Sequence, residues 1–149
     1  MSGTEPFGAV IVKDGNIIGE GLNRSKLNHD PTSHGETEAI RDACRNLQTV
    51  YLKGCDLYTS CEPCALCVAA LEIIGISRVY YAVKLEQSNT AIGTLPESAR
   101  HPIDSARLRI ECSQPIYAGS IPSQHMNNEK AIKILETWVK KMKTAVSGI

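Results

Sequence analysis

Neither sign of charge dominates this chain: sixteen Lys and Arg residues balance sixteen Asp and Glu. That neutrality argues against a protein whose affinity comes from neutralising many phosphates. No long apolar run is present either. The longest, Cys64 to Leu71, falls far short of the roughly 18 residues a membrane span needs. The first residues, Met1-Ser2-Gly3-Thr4-Glu5-Pro6, show neither a basic n-region nor an apolar h-region, so no secretory signal is visible. Six cysteines without such a signal suit thiols or metal ligands better than a disulfide framework, and the cytoplasm is the expected compartment. Internal repeats, low-complexity tracts and linkers are missing too, so one domain spanning 1–149 is expected.

What is there is an alternating order of elements. "FGAVIVK" (7–13) reads as a strand, Asp14-Gly15 as a hairpin turn, and Ile17-Ile18 as the opening of a second strand. Asn23 to Thr32 is polar and contains a proline, which predicts a loop. Ser33 can cap a helix through "HGETEAIRDACRNL", with Ala39, Ile40, Ala43 and Leu47 on its apolar face. "CDLYTS" predicts a strand, Pro63 the first turn of a helix over about 63–74, and "SRVYYAV" (77–83) another strand. The order β-β-α-β-α-β implies an α/β fold around one sheet. Residues 84–107 carry no clean period and read as loop with one short helix, while "RLRIEC" reads as an edge strand. Asn127 or Asn128 caps a last helix whose apolar stripe runs through Ala131, Ile134, Leu135, Trp138, Val139 and Met142.

Half of the cysteines fall within "SCEPCALC" (60–67). Cys64 and Cys67, three apart near a helix start, share a face and sit where unpaired N–H groups favour thiolates. His34 and Glu36 open the preceding long helix. Two cysteines and a histidine make three zinc ligands, the catalytic number, and a carboxylate two residues from the histidine suits a proton acceptor for water. Other readings of each piece stay open at this point. The CxxC pair can be a redox motif, Cys61 can complete a four-ligand structural zinc site, and Glu36 can be the reciprocal partner in a Ser33-x-x-Glu36 capping box.

Taken together, His34-Gly35-Glu36 and Pro63-Cys64-Ala65-Leu66-Cys67 resemble the H-x-E and P-C-x-x-C signature of the zinc-dependent cytidine deaminase-like superfamily. "PFGAVIVKDGNIIGEGLN" (6–23), "HDPTSHGETEAIR" (29–41) and "LYTSCEPCALC" (57–67) are similar to the branch of guanine, tRNA adenosine and fungal cytosine deaminases. The similarity covers residues 5–83 and fades beyond. It implies a three-layer α/β/α sandwich with a five-stranded mixed sheet and a homodimer or larger assembly. It implies Zn2+ held by His34, Cys64 and Cys67, with Glu36 shuttling protons during hydrolytic release of ammonia. It further implies that Asn23 holds the substrate ring, that Phe7 lines the pocket, and that the Gly35 backbone amide touches the base. Relatives usually begin with a helix ahead of "PFGAV", which the six residues before Phe7 are too few to form.

A free nucleobase or related amino-heterocycle is the expected partner, with guanine leading. RNA is disfavoured because the one basic cluster, Lys130, Lys133, Lys140, Lys141 and Lys143, mostly opposes the apolar stripe of the last helix and reads as a solvated face. Guanine deaminases usually carry a Gly-Phe-Asp-Asp segment after the fourth strand, where this chain has "AIGTLPESARHPID" (91–104). Glu97 and Asp104 are the candidates for its acidic role. Gly35 is also what fungal cytosine deaminases show, so cytosine, isocytosine and aminotriazines stand as alternatives. A tRNA adenosine deaminase and a non-catalytic zinc-stabilised interaction module are the remaining readings. His101 and His125 are expected in solvent-exposed loops.

Overall fold

A computed structural model describes residues 5–99 and 103–147, so His101 lies outside the described residues. Two compact units are present, Met1–Cys112 and Ser113–Ile149.

The first unit is built on a mixed sheet. β1 (Gly8–Lys13) and β2 (Asn16–Leu22) form a hairpin closed by Asp14 and Gly15. Both turn residues have positive φ, 49° and 78°, which matches the right-handed twist of the flanking strands. β3 (Asp56–Cys61) pairs antiparallel with β1, and β4 (Arg78–Val83) pairs parallel with β3, giving the order β2-β1-β3-β4. The sheet thus has four strands among the described residues, against the five expected. The edge strand expected at "RLRIEC" lies instead in a helix, Ser105–Cys112. Six residues are too few to separate the two periods. What decides the outcome is Asp104, whose Oδ1 accepts the Arg107 amide at 2.9 Å and so starts a helix.

Helices join the strands. α1 (Ser25–Asn28) is a single turn inside the expected loop, and α2 (Gly35–Leu47) links β2 to β3. α3 (Ala65–Ile74) makes the crossover from β3 to β4, as a parallel pair requires. α4 (Leu85–Gly93) lies in the stretch that carried no period, and α5 (Ser105–Cys112) starts at its end.

Strand alternation points Ala9 and Ile11 of β1 and Leu57 of β3 to one face. There they pack with Ala39 and Ala43 of α2 and Leu71 and Ile74 of α3 into one core. The opposite face shows Tyr58 stacked on Tyr80, ring centroids 4.6 Å apart.

α2 lies unusually near β2. A Cβ placed on Gly21 would fall 2.1 Å from the Gly35 carbonyl oxygen and 2.3 Å from the Ala39 nitrogen; one on Gly19 would meet Ala43 at 2.6 Å. Only glycine lets backbone meet backbone at this range. In the second unit, α6 (Glu129–Ser147) begins as expected, the Asn128 side chain accepting the amides of Lys130 and Ala131 at 3.0 and 3.2 Å.

Because both neighbours of Gly21 are main chain, Gly21→Ala is expected to destabilise the protein by about 1–3 kcal/mol, the range for overpacked sites. Denaturant unfolding against the unaltered protein measures it.

Candidate metal centre

Two helix starts converge at one end of the sheet. His34 is the N-cap of α2 and Cys64 the N-cap of α3, both in extended backbone conformation. Ser33, expected as the cap, sits one residue earlier, and its hydroxyl donates to Glu38 Oε1 at 2.7 Å. Thr37 takes the reciprocal role, its hydroxyl accepting the His34 amide at 3.0 Å. Glu36 is thereby left out of the capping arrangement. α3 likewise starts two residues later than expected, because Pro63 stays outside the helix and leaves Cys64 to cap it.

The side chains meet. His34 Nδ1 lies 3.6 Å from Cys64 Sγ and 3.5 Å from Cys67 Sγ, and the two sulfurs are 3.8 Å apart. A tetrahedral zinc ion with bonds of about 2.3 Å to sulfur and about 2.0–2.1 Å to nitrogen needs sulfur–sulfur edges of about 3.8 Å and sulfur–nitrogen edges of about 3.6 Å. The trio therefore fits such an ion without rearrangement. Cys61 does not join it: among the described residues, only His34, Cys64 and Cys67 bring three ligand atoms within 4.8 Å of one another.

Without a cation the trio is electrostatically frustrated. The Cys67 thiol foremost, and then the His34 ring, hold Cys64 down to about 4. Cys67 is pushed up, first by its contact with the Cys64 sulfur, then by burial and the Glu36 charge. His34 is raised chiefly by the same Cys64 sulfur, against burial that lowers it. Two thiolates side by side repel, and a divalent cation removes that repulsion by taking the place of the protons.

Residues 2–83 match the cytidine and deoxycytidylate deaminase zinc-binding region. The chain belongs to that deaminase family. It is 36% identical over 133 residues to the guanine deaminase of Bacillus subtilis, covering 89% of this chain and 79% of that protein. A crystal structure of that guanine deaminase superposes with a TM-score of 0.76 at 35% identity, over 90% of this chain and 79% of the other. The tRNA-specific adenosine deaminase of Aquifex aeolicus is 46% identical over 80 residues, 54% of this chain and 53% of that protein, so the chain spans about half its length. The domain is a hydrolytic deaminase with a metal-competent trio.

In this deaminase two of the trio, His34 and Cys64, border a cavity of about 310 Å³, while Cys67 is buried behind them. Phe7, Asn23, His34, Glu36 and Cys64 line it, so most of the residues singled out in the sequence share one wall. Gly35 is not among the lining residues; it packs against Gly8 and the Phe7 carbonyl. Glu36 is buried, with Oε1 3.3 Å from Thr59 Oγ1 and Oε2 3.5 Å from Cys67 Sγ. Asn23 accepts the Ser25 amide at 3.0 Å and donates to Glu5 at 3.3 Å. An amide nitrogen has two hydrogens, so one remains for a ligand.

The opposite wall comes from the stretch without a period. Leu85, Ser88, Asn89, Ile92 and Gly93 of α4 line it with Ile103 and Ser105. Neither Glu97 nor Asp104 lines the cavity; Asp104 is occupied as the α5 cap. Glu62 fastens this wall to the ligand loop. Its Oε2 accepts the Leu85 amide at 3.0 Å, while Oε1 lies 3.7 Å from Arg109, which also donates to the Pro63 carbonyl at 3.4 Å. Cys61 lines the cavity as a buried thiol whose pKa burial raises. His125 is exposed.

Loss of one ligand leaves two, too few for a stable site. His34→Ala and Cys67→Ala are each expected to purify with zinc well below one per chain, whereas Cys61→Ala keeps it. Elemental analysis of the purified variants decides this.

Proposed function

We propose that the chain is a zinc-dependent aminohydrolase acting on a free guanine-type base, working in the cytoplasm as a single deaminase domain and as a homodimer. The observation that carries the reading is a trio fitted to zinc beside a buried carboxylate, with His34, Cys64 and Glu36 on the wall of one small cavity. Its volume, about 310 Å³, lies at the lower end for small-molecule sites, which suits a base better than a larger ligand. The likeness to the Bacillus subtilis guanine deaminase, over most of both chains, favours a purine over cytosine, isocytosine or an aminotriazine.

Zinc held by His34, Cys64 and Cys67 would supply a Lewis acid that lowers the pKa of water towards neutrality. Glu36 does the proton work. Its carboxylate takes a proton from the attacking water and passes it to the ring nitrogen next to the carbon under attack. It then takes the remaining proton from the added hydroxyl and delivers it to the departing amine, so that water and the amino base become the oxo base and ammonia. Proton transfer of this kind is worth about 10²–10⁴-fold. The spare Asn23 hydrogen orients the ring, with Phe7 as an apolar wall.

An RNA substrate is disfavoured by charge. Glu5, Glu36 and Glu62 line the cavity, and no Lys or Arg does among the described residues. No helix among them is long and apolar enough to cross a membrane. The homodimer is supported by exposed apolar side chains on α6, where Trp138 is 60% and Leu135 66% exposed beside Met142. The lysines of α6 are exposed too.

Ammonia release across guanine, adenine, cytosine, isocytosine, aminotriazines and their nucleosides tests the reading, with turnover expected for guanine. Inosine formation in tRNA, or silence of zinc-loaded protein on every compound, contradicts it. Glu36→Gln is expected to keep zinc and lose at least about 10²-fold in kcat.

A further inference from the structure

Thr59 interrupts an otherwise apolar row. It lies between Leu57 and Cys61 on the buried face of β3 and is only 8% exposed. A hydroxyl buried there costs stability unless it is hydrogen-bonded. Two acceptors are in reach: Glu36 Oε1 at 3.3 Å and the Gly8 carbonyl at 3.4 Å. The hydroxyl has one hydrogen, and a carboxylate draws it more strongly than a carbonyl.

Glu36 has a second neighbour in Cys67, whose Sγ lies 3.5 Å from Oε2. Among the described residues, Thr59 supplies the one hydroxyl that donates to Glu36. The β1–β3 ladder sets Thr59 opposite Ala9, so the hydroxyl is held by the sheet and not by a loop.

We propose that Thr59 is a positioning residue, which holds the Glu36 carboxylate in place and ties it to the sheet. This rests on the aminohydrolase reading only for its kinetic consequence; the placement itself is structural. A threonine kept merely for packing would be replaceable by valine, which has the same shape without the hydroxyl.

The test compares zinc-loaded wild type, Thr59→Val and Thr59→Ser. With the base that wild type deaminates, Thr59→Val is expected to lower kcat about 10- to 100-fold, the cost of about 1 Å of misplacement, with KM within about twofold and zinc content unchanged. Thr59→Ser, which keeps the hydroxyl, is expected to recover most of the loss. In a crystal structure of Thr59→Val the Glu36 carboxylate is expected to have turned from its place. An unmoved carboxylate, an unchanged kcat, or a serine variant as poor as valine overturns the proposal. If wild type deaminates nothing offered, the aminohydrolase reading fails separately, and the carboxylate position in the crystal decides the role of Thr59.

Discussion

The approach of α2 to β2 at Gly19 and Gly21 is the constraint on which the site depends. With main chain on main chain at that range, the helix has no freedom to slide. Its first turn then projects at one end of the sheet, where the N-cap of α3 also lies. His34 and Glu36 come from one helix start and Cys64 and Cys67 from the other, so the metal trio forms where two sets of unpaired amides already favour negative charge.

That arrangement settles which charges are tolerated. Contact between the two sulfurs lowers the Cys64 pKa and raises that of Cys67, so the pair resists carrying two negative charges by itself. A divalent cation would remove that resistance. Glu36 sits next to the sulfurs yet outside the trio, kept there by Thr59 and by burial. A carboxylate so placed lies beside the ligand atoms without being one of the three.

Much of this was legible in the residues because the signals were joint. His34, Glu36, Cys64 and Cys67 each have ordinary roles alone, but in this order and spacing they define a metal-ligand pattern. The turn at Asp14-Gly15 and the cap at Asn128 were equally readable, since each rests on local chemistry. The failures are local ambiguities. Ser33 and His34 competed for one capping position, and the reciprocal hydroxyl of Thr37 selected His34. "RLRIEC" fits two periods, and an aspartate just upstream chose the helix. The pocket wall from α4 stayed hidden because Leu85 to Gly93 shows no apolar stripe: it faces a cavity, which puts no periodic demand on the sequence. Thr59 stayed hidden because a β-branched residue in a strand looks ordinary until its neighbour is known to be Glu36.

The claim on which the account stands is that the cation has three protein ligands and one further donor that the chain does not supply. X-ray absorption at the zinc edge of the purified protein measures this directly. The account predicts two sulfur donors, one imidazole nitrogen and one further light-atom donor not belonging to the chain. Three sulfurs, or a shell supplied entirely by protein side chains, would contradict it.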